Sequence, residues 1–181
     1  MLDEAVATTA EGSPHRAGRW NNLAAALRAR ADRSGADVDV DRAVATFRAA
    51  CSEGTRPEAS LAAAYNWCAW SVERAAWPEI AEASARALDA ADLLRRTQLT
   101  RRDRTSWLRA ADGLAGTGAH ALVRVGDPVA AALLAERGRA LLLTDALDRD
   151  RARLDRLATA RPDLAARFWA AVAVVRGHGN D

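Results

Sequence analysis

The chain has 181 residues, enough for one domain with its own core, and 26 basic against 24 acidic side chains leave a net charge of only +2. A field that weak recruits neither nucleic acid nor an anionic membrane surface, and two cysteines, Cys51 and Cys68, are too few for a disulfide framework or a zinc site. Half the residues are hydrophobic, Ala dominates that half and Ile80 is the single isoleucine. Because Ala loses no side-chain entropy in a helix and β-branched residues are scarce, an all-α protein is expected.

The opening decapeptide "MLDEAVATTA" has no basic region and no long apolar core, so it does not read as a secretory signal. A first helix is expected from about Pro14 to Arg33. Trp20, Leu23, Ala24, Leu27 and Ala31 recur on one face of it, and Ser34-Gly35 ends it. A second helix follows "DVDVD", with Asp39 or Asp41 as its cap and Ala43, Val44, Phe47 and Ala50 as its buried side. "SEGTRP" (52–57) breaks the chain. A second pair then covers 58–75, with Trp67 and Trp70 three apart, and 79–95, opened by Trp77-Pro78.

A third pair spans about 103–125 and 128–147. "GDP" (126–128) separates its helices with a stop, a cap and a first-turn proline. A short helix near 150–159 and a last one over 161–175 complete the reading. The apolar run Phe168–Val175 is far too short to span a bilayer, and a cytoplasmic location is expected.

The elements repeat. "LDEAVA" (2–7) and "VDRAVA" (40–45) are nearly identical and lie 38 residues apart, and Asn22 and Asn66 lie 44 apart. Repeats of this length point to an α-solenoid of about three helix pairs (about 1–55, 56–98 and 99–147) with C-terminal helices over 148–176, one repeat domain across 1–181.

Trp20, Leu23, Ala24 and Leu27, then Ala43 and Phe47, then Pro57, resemble the tetratricopeptide pattern W-x2-L-G-x2-Y, A-x3-F, P. Ala stands in the Gly place and Leu in the Tyr place, and the long turn "SGADVDVD" stretches the period. In the second pair Trp67, Cys68 and Ser71 occupy the Leu, Gly and Tyr places. Over nearly its whole length the chain is similar to the repeat arrays of actinobacterial proteins that end in a CHAT domain, a caspase-like peptidase. "GDPVAAALLAERGRALLLTDALDRDRARLDRLATARPDLAARF" resembles the segment leading into that domain. The peptidase motifs are absent. The resemblance therefore implies a non-catalytic regulatory or recruitment arm with a protein or peptide partner, that peptidase domain among the candidates. The use of Arg for every basic residue suits a GC-rich genome of that kind and says nothing of function.

In such repeats, Asn on the first helix of a pair lines the groove and grips a peptide backbone, since an amide both donates and accepts. Asn22, opposite the Trp20–Leu27 stripe, and Asn66 are the candidates for peptide binding, against the plainer alternative of solvated side chains or caps. Six tryptophans read as core filler in an Ala-rich array.

"RRTQLTRRDRTSWLR" (95–109) carries six Arg and reads as a solvated helix junction rather than a phosphate site. "DVDVD" imitates a calcium loop, but Arg42 and Arg48 stand where that loop needs Gly and Glu. "GLAGTG" (113–118) lacks the phosphate-loop ending and reads as small residues at a close helix contact. His15, His120 and His178 share no metal spacing, so no metal and no cofactor are expected, and neither cysteine has a His beside it to act as base. "DALDRDRARLD" (145–155) pairs Asp and Arg along an exposed helix.

An all-helical enzyme or small-molecule binder with a buried cavity is the alternative reading. Self-association as a homodimer through the apolar C-terminal "FWAAVAVV" is a further expectation.

Overall fold

The computed structural model describes residue 13 and residues 16–52, 56–97 and 101–177, without the side chains of 17, 101–112 and 175–177. These residues form α1 (Arg16–Ser34), α2 (Asp37–Ser52), α3 (Pro57–Glu73), α4 (Trp77–Thr97), α5 (Arg101–Arg124), α6 (Pro128–Ala160) and α7 (Pro162–Gly177). No strand occurs among the described residues, so the protein is all-α there, as its composition predicts. The "LDEAVA" copy, His15, His178, Trp107 and much of the Arg-rich stretch lie outside the described structure or side chains.

The breaks follow residue chemistry. Past α5 the amides of Gly126 and Asp127 return to the carbonyls of Val123 and Leu122, and Gly126 takes a φ of +88°. Asp127 then accepts from the Ala130 amide at 2.9 Å and caps α6. Past α3 the same pair of bonds runs from Ala75 to Val72 and from Ala76 to Ser71. Here an alanine at φ 53° occupies the left-handed position. A Cβ is strained there, so Ala75→Gly is expected to raise stability by about 0.5–1 kcal/mol, read from the denaturant midpoint.

The chain divides into two compact units, residues 1–141 and 142–181. In the first, each helix from α1 to α5 packs on the next, and first helices also meet: α1 touches α3, and α3 touches α5. Cross-helix bonds give the direction. Asn66 reaches Asn21 and Arg28 reaches Glu73, both across 45 residues, which makes α1 and α3 parallel. Arg48 reaches Glu82 and Arg86 reaches Ser52, both across 34 residues, which makes α2 and α4 parallel. First helices thus form one layer and second helices the other.

Between the layers lie Leu23, Ala24, Leu27, Phe47, Leu61, Trp67, Trp70, Ile80 and Leu88, all buried. The stripes predicted for α1 and α2 are the buried ones. Small residues set the closest approaches: a Cβ on Gly118 would stand 2.5 Å from that of Ser84 and 2.7 Å from Leu134 Cδ2, and one on Gly138 would collide with Ala115. Gly118 therefore performs the packing expected of "GLAGTG", whereas Gly113 and Gly116 face open space.

Three expectations need correction. Asp39 is not a cap: α2 begins at Asp37, and the buried Asp39 carboxylate turns back to α1. It accepts from Arg30 Nε at 2.8 Å and Ser34 Oγ at 2.9 Å, and these bonds hold its pKa below the ordinary aspartate range. No break occurs near residue 148. α6 runs through to Ala160, because nothing between Arg139 and Ala160 is Gly or Pro and Arg149–Asp145 and Arg153–Asp150 pairs support the turns. Trp169 is not filler, since it is 53% exposed.

Candidate functional site

The outer face of the first-helix layer carries the two candidate asparagines, and both are exposed. The structure brings Asn66 to Asn21 rather than to Asn22: Asn66 Nδ2 donates to Asn21 Oδ1 at 3.4 Å. The spacing of 44 in the sequence thus becomes a register of 45, and Asn22 stands one position further round α1. The "NN" dipeptide held both partners, but only the register distinguishes them.

Along α3 the side chains divide by direction. Asn66, Trp70 and Glu73 turn toward α1: Trp70 Nε1 donates to Asp32 at 2.8 Å and Arg28 reaches Glu73 at 3.1 Å. Tyr65, Cys68, Ala69 and Val72 turn toward α5 and, with Gly113, Leu114 and Thr117, line a cleft of about 470 Å³. Tyr65 and Val72 are 51% and 50% exposed, large apolar surfaces offered to solvent on one helix face. Gly113 leaves the α5 side of the cleft low, since nothing lies within 4 Å of where its Cβ would be. Sequence reasoning missed Tyr65 and Val72. The available signal was that they lie opposite the Trp67–Trp70–Ser71 side of α3.

The cleft is held from below by a polar cluster. Glu79 of α4 accepts from Trp67 Nε1 at 3.0 Å, from Ser71 Oγ at 3.1 Å and from Arg74 Nη1 at 3.2 Å. Arg74 in turn lies 3.8 Å over the Trp70 ring. One carboxylate thus satisfies a fully buried indole and fixes the end of α3 against the start of α4.

Neither cysteine is set up as a nucleophile. Burial pushes the Cys51 thiol up to about 12, and burial likewise raises the Cys68 thiol, against a hydrogen bond with Ser84 that works the other way. His120 stacks edge-on to Trp77 at 5.6 Å. Among the described residues no three of His, Cys, Asp and Glu gather as metal ligands. Among them, too, no helix is long and apolar enough to cross a membrane. A second cleft, of about 430 Å³, lies between α4, the end of α5 and the start of α6 and is lined by Ala81, Glu82, Leu122, Leu133 and Arg137. Compared with family models, curated proteins and solved structures, the chain matches none.

Proposed function

We propose that the chain is a tetratricopeptide-like helical-repeat scaffold that binds an extended peptide or a helix on its first-helix face and performs no catalysis of its own. The observation that carries this reading is that α1 lies parallel to α3 and α2 parallel to α4. First helices lie parallel and side by side, and so do second helices, as in an array of helix pairs, each burying its face on the next. Such an array exposes its first helices as a surface. Here that surface holds an apolar cleft with Tyr65 and Val72 on its wall, and the exposed Asn66 amide on the α1 side of the same helix. Apolar side chains of a ligand would enter the cleft, and Asn66 and Asn22 would hold its backbone. The resemblance to CHAT-associated arrays would make a caspase-like peptidase domain one such partner, with the scaffold positioning or restraining it.

The test is peptide selection on the full chain followed by calorimetry of the tightest binder. Asn22→Ala with Asn66→Ala is expected to weaken it about tenfold, and Val72→Asp more, with the melting temperature nearly unchanged because all three positions are exposed. Unchanged affinity in both variants would remove the groove assignment.

A further inference from the structure

Trp67, Trp70 and Trp77 each have an arginine over the ring. Arg48 lies 5.4 Å from the Trp67 ring centre, Arg74 3.8 Å from that of Trp70 and Arg124 4.6 Å from that of Trp77. In the first two cases a carboxylate completes the group: Glu82 binds Arg48 at 2.8 Å, and Glu79 binds Arg74. Each of those indoles also has an acid of its own. Trp67 Nε1 donates to Glu79 at 3.0 Å and Trp70 Nε1 to Asp32 at 2.8 Å.

The third group lacks its acid. Among the described residues the Arg124 guanidinium has no ion pair, and neither the Trp77 indole N–H nor the His120 ring has a hydrogen-bond partner. His120 lies edge-on to the same indole at 5.6 Å, so three groups able to donate meet at one half-buried ring. The acids nearest in sequence are engaged elsewhere. Glu79 serves Trp67, Ser71 and Arg74, and Asp127 caps α6 on the Ala130 amide.

This group stands at one end of the cleft between α3 and α5. At 100° per residue Gly113, Thr117, His120 and Arg124 fall within about 60° of one another on α5. The α5 wall of the cleft therefore continues into His120 and Arg124, both exposed. Trp77 follows the turn that ends α3 and meets both side chains there. Long helical side chains lean toward the helix start, which brings the Arg124 guanidinium to about one turn past Thr117. Alternate side chains of an extended peptide are roughly 7 Å apart. A peptide with an apolar side chain between Val72 and Thr117 thus has its next same-face side chain within reach of Arg124.

We propose, resting on the peptide-binding reading above, that Arg124, His120 and Trp77 form a carboxylate subsite at the end of the cleft. It takes the side chain of an Asp or Glu two positions from the apolar residue that the cleft holds. The incoming carboxylate completes the third group as Glu82 and Glu79 complete the other two. A guanidinium already laid on an indole loses little further freedom when the acid arrives, and a cationic side chain at that peptide position would be repelled.

The test is selection from a peptide library on the full chain, followed by calorimetry of the tightest binder with a free and with an amidated C-terminus. Selected peptides should pair an apolar residue with an acid two positions away. Glutamine in place of that acid should weaken binding about tenfold, and so should Arg124→Gln, with helical circular dichroism unchanged. Together they should again cost about tenfold, because each removes the same contact. Val72→Asp reports on the cleft by itself and should weaken acidic and neutral peptides alike. Binding that needs Val72 but is indifferent to Arg124→Gln would overturn the subsite and leave the scaffold reading in place. So would losses that multiply to about a hundredfold, and so would affinity that vanishes on amidation. A library yielding no peptide sensitive to Val72→Asp would remove the peptide reading and the subsite with it.

Discussion

Trp67→Ala is expected to lower stability by about 4 kcal/mol, the largest effect of any single substitution proposed for this chain. Trp67 is fully buried, and its indole lies where α3 meets α4 with Arg48 5.4 Å from its ring. An array built largely of Ala has few side chains able to fill the space that Trp67 vacates, so the cavity persists and the loss exceeds the transfer term alone. The measurement is equilibrium urea unfolding followed by circular dichroism, with an unchanged slope identifying a true stability change. Trp169→Ala is the internal comparison: with 53% of that side chain exposed, its effect should stay within about 0.5 kcal/mol. Equal losses for the two would mean that Trp67 does not occupy the core as described.

Glu79→Ala should cost about 3 kcal/mol, although it removes neither apolar bulk nor a helix cap. Its carboxylate serves Trp67, Ser71 and Arg74 together, and the side chains of Glu79 and Arg74 are only 19% and 24% exposed. Deleting it strands a buried indole N–H and a half-buried guanidinium at once, and water reaches neither well. A double-mutant cycle checks the wiring. Trp67→Phe removes one of the donors, so Glu79→Gln should cost about 1 kcal/mol less in that background than in the unaltered chain. Additivity of the two would show that the indole bond contributes nothing. Because Glu79 fixes the end of α3, Glu79→Gln should also weaken any peptide held by Tyr65 and Val72 more than its effect on folding alone predicts.

Helices, their breaks and most of their buried faces were legible in the residues because each rests on neighbours a turn or two away. The Leu23–Ala31 stripe, the Phe47 side of α2 and the Gly126-Asp127-Pro128 junction are examples. Periodicity and turn chemistry act over a few residues, so one sequence suffices to read them. The exceptions mark the limit. Asp39 looked like a local cap because an aspartate before a helix usually is one, and only the fold supplied Arg30 and Ser34 as better partners. The Asp–Arg alternation over 145–155 was read correctly as helix support, yet a boundary was still placed after residue 147, where the structure continues one helix to Ala160.

Asn22 and Asn66 were legible as candidates, but that Asn66 meets Asn21 was not, since a spacing in sequence does not define a register in space. Tyr65, Val72 and Glu79 were not found at all. What makes each of them matter lies on another helix: Gly113 and Leu114 for the cleft, Trp67 for the carboxylate. By itself, then, the sequence determined an all-helical chain, the faces of its first helices and the places where it turns. The tertiary structure alone decided which like helices lie parallel, which buried donors share one carboxylate and which apolar side chains remain outside. Those outcomes depend on distances between residues 34 or 45 apart, and no local preference encodes them.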